Sequence, residues 1–363
     1  MGRLKKRIAL MGDTHWGVRN DHPAFLDNMR KSSEWMLQTL RQQYADVNDI
    51  IHLGDLYDRR KYVNFQTAEL CHKHFLQPVS HDYRLHIITG NHDVYYKDTY
   101  EVNALRTLVA ARYPTIRSYS TATDVTIQGT SILLVPWICE ANKQHTQNMI
   151  DNTYAQIMMG HLELTGFEMY KNVIMQHGDD PNVYSKFQGV YSGHFHRKST
   201  KGNINYIGAL GEYTWSDHDC PRGFSILDLD TLELEFVKNP FSMFRLCKYD
   251  DTNYKPGMLK NLDFSKYADS YVKVVVVTRN DPFVFDMFMD KLYAVNPIDV
   301  SIVEDVSSFI DNAEDEVIDE AQDTPSILDG YISGLTLPIE TDRMKKYMRS
   351  VYKEAITINE DLK

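Results

Sequence analysis

Residues 85–93 read LHIITGNHD, in which an apolar run typical of a β-strand leads into a glycine and then into side chains that bind metal ions. The same arrangement occurs four more times in the first two hundred residues. Short apolar runs precede Asp13-Thr14-His15, Gly54-Asp55-Leu56-Tyr57-Asp58, Gly160-His161 and Gly193-His194-Phe195-His196. Ligands at the ends of several strands converge on one edge of a sheet, so side chains far apart in sequence can meet there. The five segments therefore predict a metal centre.

The composition is that of an ordinary soluble globular protein. The chain has 363 residues, of which 43% are hydrophobic and 25% charged, enough for a large core and at least one smaller module. No apolar stretch approaches the roughly 20 residues that cross a bilayer, and the run after the basic N-terminus is too short for a signal-peptide core. We therefore expect a cytoplasmic protein without a membrane segment.

The four cysteines exclude two further classes of protein. They are scattered and form no CxxC pair, which excludes a disulfide scaffold and a zinc knuckle. We expect free, mostly buried thiols at Cys71, Cys139, Cys220 and Cys247.

The net charge of −11 is concentrated in one short segment. Residues 304–323 contain nine acidic side chains and no Lys or Arg, so the rest of the chain is near neutral. Overall acidity argues weakly against nucleic-acid binding, but an acidic tether says little about the face that holds the site.

Helical and strand-like patterns alternate between the five segments. An apolar period close to 3.6 predicts helices over residues 23–44, 67–76 and 100–111, and period-2 patterns predict hairpins over 125–136 and 224–237. Together they indicate an α/β fold with two sheets and helices outside them, an αββα core.

A second module follows the core. Residues 271–278, 282–293 and 300–303 predict a small βαβ unit that begins near Phe244. We expect a core domain at residues 1–243, a small capping domain at 244–303, an acidic linker at 304–325 and a helical segment at 326–363. Apolar side chains at helical spacing in that last segment predict docking on a partner, and packing on its own domain is the alternative.

The types of ligand side chain in the five segments restrict which metal ions we expect. Carboxylate, imidazole and amide oxygen without thiolate favour Mn, Fe or Zn. Two such ions roughly 3.5 to 4 Å apart can bind both non-bridging oxygens of a phosphodiester. Asp55 has the two oxygens that a bridging ligand needs, and a nearby protonated His could assist the leaving alkoxide.

In order, the segments DxH, GDxxD, GNHD, GH and GHxH resemble the calcineurin-like metallophosphoesterases. Within that superfamily the chain is most similar to the SbcD-type nucleases of double-strand-break processing, and especially to their T4-type bacteriophage branch. The supporting stretches lie outside the ligands, and the similarity covers about the first 245 residues well. They are Tyr96-Lys97, Pro136-Trp137-Ile138-Cys139-Glu140, Gly160-His161-Leu162-Glu163-Leu164-Thr165-Gly166-Phe167 and Pro221-Arg222-Gly223-Phe224.

The resemblance implies two sets of metal ligands that share Asp55. The first set is Asp13, His15, Asp55 and His196, and the second is Asp55, Asn91, His161 and His194. His92 would stay free of metal and act near the leaving group, and Mn²⁺ would be preferred, with Mg²⁺ as the alternative.

Asp58 departs from the pattern, because many SbcD-type proteins carry His there. We interpret Asp58 as a helix N-cap or as an ion-pair partner of Arg59 or Arg60, with support of a metal ligand as the alternative.

The resemblance also implies the activity. It implies a 3′-to-5′ exonuclease on duplex DNA and an endonuclease on single strands, acting in double-strand-break processing and recombination. An SMC-like ATPase of the SbcC type would bind the C-terminal helix, and the nuclease would form a homodimer through helices near GNHD. A phage-encoded protein would work in the host cytoplasm. The metal used in the cell, the balance of the two activities, the DNA-end preference and the persistence of the dimer without the ATPase stay open.

Two other functions are weighed against the nuclease. A phosphomonoesterase or protein phosphatase is suggested by GDLYDR, but that group has GNHE where this chain has GNHD. A non-catalytic scaffold would have lost ligands, and none of the eight expected positions is lost.

Other side chains near the segments have two interpretations. Trp137 and Phe195 could shape a DNA groove, although buried packing is favoured; Lys97, Arg197 and Lys198 fit phosphate contacts and solvated surface charge equally well. Packing or surface roles are favoured for His52, His72, His74 and His86.

Overall fold

Two six-stranded sheets face each other in the computed structural model, which describes residues 5–170, 173–252, 256–304, 344–345 and 347–348. The chain divides into two compact units, residues 1–311 and 312–363. The strands are β1 (Arg7–Met11), β2 (Asp49–His52), β3 (Arg84–Ile88), β4 (Arg117–Tyr119), β5 (Thr123–Ile127), β6 (Thr130–Val135), β7 (Ile157–His161), β8 (Glu168–Tyr170), β9 (Val173–Ile174), β10 (Gly189–Gly193), β11 (Ser199–Lys201), β12 (Ile204–Tyr206), β13 (Gly223–Asp228), β14 (Leu234–Lys238), β15 (Phe244–Asp250), β16 (Tyr271–Thr278) and β17 (Asp299–Val303).

The α-helices are fewer than the strands. They are α1 (Pro23–Gln43), α2 (Phe65–Cys71), α3 (Gln77–Asp82), α4 (Glu140–Asn152), α5 (Pro256–Leu259) and α6 (Pro282–Tyr293). A four-residue helical segment at Val18–Asp21, with left-handed backbone angles at Arg19 and Asn20, comes before α1. A π-helical turn at His72–Leu76 joins α2 to α3, and a second lies at Leu105–Ala110. Single 3₁₀ turns lie at Pro181–Tyr184, Trp215–Asp217 and Ser265–Tyr267.

Both sheets are mixed. The first has the order β14-β13-β1-β2-β3-β4, in which β1 to β4 run parallel and β13 runs antiparallel to β1. The second has the order β11-β12-β10-β7-β6-β5, in which β6, β7, β10 and β12 are parallel. The two predicted hairpins are confirmed as β5–β6 and β13–β14.

The period of two along each strand explains the layers. Ile8 and Leu10 of β1 pack between the sheets with Leu134 and Met159 of the second sheet. Ala9 and Met11 face the opposite way, into a cluster that includes Met36 and Leu40 of α1 and Phe75. Alternate residues of β6 and β7 face a third cluster with Ile150 of α4. The predicted αββα core is therefore confirmed.

The cap is a three-stranded parallel sheet of order β15-β16-β17 with α6 packed on it. Val272, Val274 and Val276 of β16 are buried against Phe285 and Phe288 of α6. The predicted βαβ unit corresponds to β16, α6 and β17, and β15 adds an edge strand that was not predicted.

The cap packs directly on the core. The ring centroid of Phe244 lies 6.1 Å from that of Phe25 in α1 and 4.9 Å from that of Trp215. The Glu212 carboxylate accepts hydrogen bonds from the backbone N–H groups of Met243 and Phe244, at 2.8 and 3.0 Å. These contacts fix the first strand of the cap to the core.

Three predictions need comment. The helix expected over residues 100–111 is wrong in its first turn, because regular hydrogen bonding begins only at Leu105 and is π-helical. All four cysteines are free and buried, as expected. No helix in the described ranges is long and apolar enough to cross a bilayer.

The linker at 304–325 and the segment at 326–363 lie outside the described residues, apart from Glu304 and four residues at 344–348 that are helical.

Candidate metal centre

The five predicted segments meet at one place. Asp13 and His15 follow β1, Asp55 follows β2, and Asn91 follows β3, so the first sheet delivers its donors where its parallel strands end. The second sheet delivers His161 from the end of β7 and the histidines that follow β10. All seven predicted ligand residues lie at this shared edge, and none is more than partly exposed.

One group of donors surrounds His15. Its Nε2 atom lies 3.0 Å from Nε2 of His196, and both belong to a cluster with Asp13. The Oδ2 atom of Asp13 is buried without a hydrogen-bond partner, while Oδ1 accepts from the backbone N–H of His194 at 2.9 Å. Two ligands 2.0–2.1 Å from one ion in tetrahedral geometry would be about 3.3 Å apart. The spacing and the orphaned carboxylate oxygen therefore fit a cation.

A second group surrounds Asn91. Its Oδ1 atom lies 2.8 Å from Nε2 of His161 and 3.1 Å from Nδ1 of His194. Oδ2 of Asp55 lies 3.4 Å from Nε2 of His161 and 3.7 Å from Nε2 of His15. Asp55 thus stands between the two groups, where a carboxylate could serve both.

The other ring nitrogen of three of these histidines is also engaged. His161 donates from Nδ1 to the carbonyl of Leu53 at 2.7 Å. Nε2 of His194 lies 3.3 Å from a Glu163 carboxylate oxygen, and Nδ1 of His15 lies 3.2 Å from Oδ1 of Asp58. Such contacts select the tautomer and hold the ring plane of a metal-binding histidine.

Asp58 differs from the favoured interpretation in two respects, and an ion pair with Arg60 stays a prediction. The next helix begins at Phe65 and has Asn64 as its N-cap, so the N-cap role is wrong. Arg59 lies 3.5 Å from Asp21 instead of pairing with Asp58. The Asp58 carboxylate is turned towards His15, which is the support of a ligand that was the alternative.

Protonated histidines offset the negative charge of the carboxylates at the site. Burial alone would lower the pKa of His15 and His161, but the neighbouring carboxylates raise both to about 9. Burial opposes ionisation of Asp55, yet His161 and His92 hold its pKa well below the usual range. Protons on these histidines thus balance the acidic groups of the free protein, and cations would displace them.

The backbone at the site is strained. Asp13, His15, Asp55 and His194 have φ angles of 51°, 42°, 55° and 83°, a region that non-glycine residues seldom adopt. Close approach also explains a motif glycine, because a Cβ on Gly90 would lie 2.1 Å from Oδ1 of Asp55. Strained backbone and close packing of this kind are typical of a functional site, where the geometry is kept at a cost in stability.

His92 is held beside Asp55. Its backbone N–H donates to Oδ1 of Asp55 at 2.8 Å, and its Nδ1 hydrogen-bonds to the carbonyl of Asp58. Its ring centroid lies 4.7 Å from that of His15. With Nδ1 engaged, Nε2 is the nitrogen left for a substrate or a cation.

Sequence reasoning missed Asp93. Its two carboxylate oxygens accept from four backbone N–H groups, those of Asp55, Leu56, Tyr57 and Gly90, at 2.9 to 3.3 Å. Burial and the Asp55 carboxylate raise the pKa of Asp93, and the N–H donors oppose that rise. Asp93 therefore ties the GDLYD loop to the GNHD loop. The sequence did contain a signal for Asp93, because it is the last residue of the GNHD segment.

Tyr213 was missed as well. Its hydroxyl donates to the carbonyl of Asp13, and its ring centroid lies 5.4 Å from those of His15 and His196. No local pattern marks this tyrosine, because Asp13 and His15 are about 200 residues away in sequence.

The flanking side chains divide between the two interpretations. Phe195 is buried and stacks on Tyr206, so the packing interpretation holds for it. Trp137 is partly exposed with its ring 5.3 Å from His194, beside the site. Arg197 pairs with Glu168 at 3.0 Å, whereas Lys97 and Lys198 are exposed.

The four other histidines have structural contacts. Buried His52 lies 3.1 Å from the Thr14 hydroxyl, and burial lowers its pKa to about 3. His86 contacts the Tyr119 hydroxyl, His74 pairs with Glu34, and His72 packs near Tyr113.

Known proteins resemble the chain along nearly its whole length. Exonuclease subunit 1 of Enterobacteria phage T4 is 29% identical over 365 residues, which cover 96% of this chain and 99% of that protein. The SbcD component of the nuclease SbcCD from Staphylococcus saprophyticus subsp. saprophyticus, also a subunit by name, is 21% identical over 381 residues, with the same coverage of both chains. The calcineurin-like phosphoesterase family profile matches residues 6–198, more than half of the chain. The protein therefore belongs to the calcineurin-like phosphoesterase family.

Proposed function

We propose that the chain is a dinuclear metal-dependent DNA nuclease. The observation that carries the proposal is the convergence of seven residues with nitrogen and oxygen donors, from five segments, with Asp55 between two groups. The donor set lacks thiolate, which suits Mn²⁺ or Mg²⁺ better than a soft ion.

The two groups define two ligand sets. Asp13, His15, Asp55 and His196 would hold one ion, and Asp55 together with Asn91, His161 and His194 would hold the other. Such ions polarise a phosphodiester and supply an activated nucleophile at neutral pH. We propose Mn²⁺ as the preferred ion and Mg²⁺ as an alternative.

The chain's own residues orient these groups and handle the proton. Asp58, Glu163 and the Leu53 carbonyl hold the rings of His15, His194 and His161. The Asp58 carbonyl holds His92 through Nδ1, which leaves Nε2 to donate a proton to the departing oxygen. His92 is thus the proposed catalytic acid.

DNA as the substrate rests on the relatives. Both are named as nucleases, and both align with 96% of this chain, which includes the cap. We propose 3′-to-5′ cleavage of duplex ends and endonucleolytic cleavage of single strands. The proposed division is a nuclease domain at 1–243, a DNA-binding cap at 244–303, a linker at 304–325 and a partner-binding segment at 326–363.

Both relatives are named as subunits, which supports a protein partner. We propose an SMC-like ATPase of the SbcC type that binds residues 326–363, and a homodimer of the nuclease. Truncation after Asp323 should abolish binding to such an ATPase, measured by co-purification, and leave basal cleavage intact. Unchanged binding would contradict the docking role of the segment.

A paired assay tests the activity. The full chain is mixed with linear duplex DNA or with p-nitrophenyl phosphate, with Mn²⁺ or Mg²⁺, alone and with the ATPase. We expect DNA shortening from the ends and little monoester turnover. Rapid monoester turnover without DNA cleavage would favour a phosphomonoesterase, and no turnover of either substrate would favour a scaffold.

A further inference from the structure

A polar cleft of about 590 Å³ lies where the cap meets the core. The core contributes Arg222 and Lys238 to its wall, and the cap contributes Arg245 and Lys266. Four cationic side chains from separate segments thus face one space in a chain whose net charge is −11. Such a cluster of positive charge is unusual in a chain that is acidic overall.

Arg222 lines the cleft from a buried position, with 4% of its surface exposed. One terminal nitrogen, Nη2, donates to Asp217. Its other two nitrogens, Nε and Nη1, are buried and have no hydrogen-bond partner. A guanidinium offers five N–H donors, and each buried donor without an acceptor costs about 1–3 kcal/mol. Among the described residues, Arg222 therefore has no acceptor for these two nitrogens.

Arg245 provides a second guanidinium with a hydrogen-bond donor that has no partner. It is half-buried, and its Nε atom also lacks a partner. Among the described residues no carboxylate forms an ion pair with Arg245 or Lys238. Glu212 and Asp219 also line the cleft, but both oxygens of Glu212 already accept hydrogen bonds from Ser242, and Oε2 also accepts from Met243 and Phe244. Within the ranges that the structure describes, no group completes either guanidinium.

We propose that this cleft is a second phosphate-binding site, separate from the metal centre. Guanidinium donors match the oxygens of a phosphate group, and the lysines add charge without fixed geometry. The phosphate would belong either to a DNA strand or to a released mononucleotide; this choice rests on the proposed nuclease function, whereas the phosphate chemistry does not.

The cleft is connected to the metal centre. Asp217, the partner of Arg222, accepts from the backbone N–H of Tyr213 at 2.7 Å. Tyr213 in turn donates its hydroxyl to the carbonyl of Asp13. A phosphate in the cleft would therefore be held by the same segment that contacts the first ligand set.

The test compares the full-length double variant Arg245→Gln with Lys238→Gln against Arg279→Gln. Arg279 is a cap guanidinium outside the cleft, which contacts Glu304 and the Phe285 ring, so it controls for loss of a positive charge. Binding of a fluorescent duplex is measured by anisotropy in EDTA over a range of NaCl concentrations. We expect the slope of log Kobs against log[salt] to become shallower by about one for each phosphate interaction that the substitutions remove, and to stay at the wild-type value in Arg279→Gln.

A second arm identifies the source of the phosphate. Calorimetry with deoxyadenosine monophosphate should show binding that the double variant abolishes if the cleft takes a released nucleotide. No nucleotide binding together with a changed DNA slope would assign the cleft to the strand. An unchanged slope and unchanged nucleotide binding would overturn the proposal and leave ordered water as the acceptor. Wild-type cleavage in Mn²⁺ is scored separately, so a failed nuclease proposal would be recognised independently of the cleft.

Discussion

A carboxylate oxygen of Glu163 lies 3.3 Å from Nε2 of His194, across the ring from the nitrogen that faces Asn91. The hydrogen bond with His194 lowers the pKa of Glu163, so the contact favours the carboxylate. Glu163 thus fixes which nitrogen of His194 is free to bind an ion, although Glu163 itself is outside both ligand sets.

The replacement Glu163→Ala should weaken the binding of one of the two ions. Without the carboxylate the His194 ring can rotate, and loss of such support costs about 10- to 100-fold in metal affinity. Titration calorimetry with Mn²⁺ should show one weakened site and one unchanged site. Glu168→Ala is the control, because Glu168 pairs with Arg197 instead. Two unchanged sites would show that Glu163 has no positioning role.

The replacement Asp58→Ala should weaken the binding of the other ion. Asp58 contacts Nδ1 of His15, which belongs to the first ligand set. The same titration should show a loss of about 10- to 100-fold at one site. The double variant with Glu163→Ala should weaken both sites, since the two carboxylates act on different histidines. If the double variant is no weaker than either single variant, the division into two sets is contradicted.

Asp93→Asn should destabilise the chain even without metal. An amide has one oxygen for four N–H groups, and its NH₂ group would face donors. We expect the free energy of unfolding to fall by about 3 kcal/mol or more, measured by urea denaturation in a chelator. Asp98→Asn, at an exposed position nearby, should change little. Equal stability of the two variants would refute the structural role of Asp93.

His92→Ala should abolish cleavage without removing metal. Loss of a general acid slows a reaction by about 10²- to 10⁴-fold, and the seven ligand residues remain in place. The comparison is between the cleavage rate of duplex DNA and the metal content by mass spectrometry. Loss of both ions in the variant would make His92 a ligand or a structural prop.

Most of the fold could be predicted because each motif follows a buried strand. The apolar runs before Asp13, Asp55 and Asn91 are four or five residues long, a length that favours strands over helices. Helix α4 (Glu140–Asn152) was not predicted, because its buried face consists of Asn142, Thr146 and Ile150, and two of these are polar. Hydrophobic periodicity cannot reveal such a helix.

Strand β15 (Phe244–Asp250) was missed for a related reason. Its buried residues, Phe244, Cys247 and Tyr249, do not alternate regularly along the strand. The contacts of Asp93, Glu163 and Tyr213 were missed because they depend on which loops meet in space. Local sequence carries little information about such pairs.

Anomalous X-ray diffraction from crystals grown with Mn²⁺ tests the two-ion centre most directly. Two peaks roughly 3.5 to 4 Å apart are expected, with Asp55 between them. One peak should lie among Asp13, His15 and His196, and the other among Asn91, His161 and His194. A single peak, or two peaks that do not share Asp55, would contradict the account.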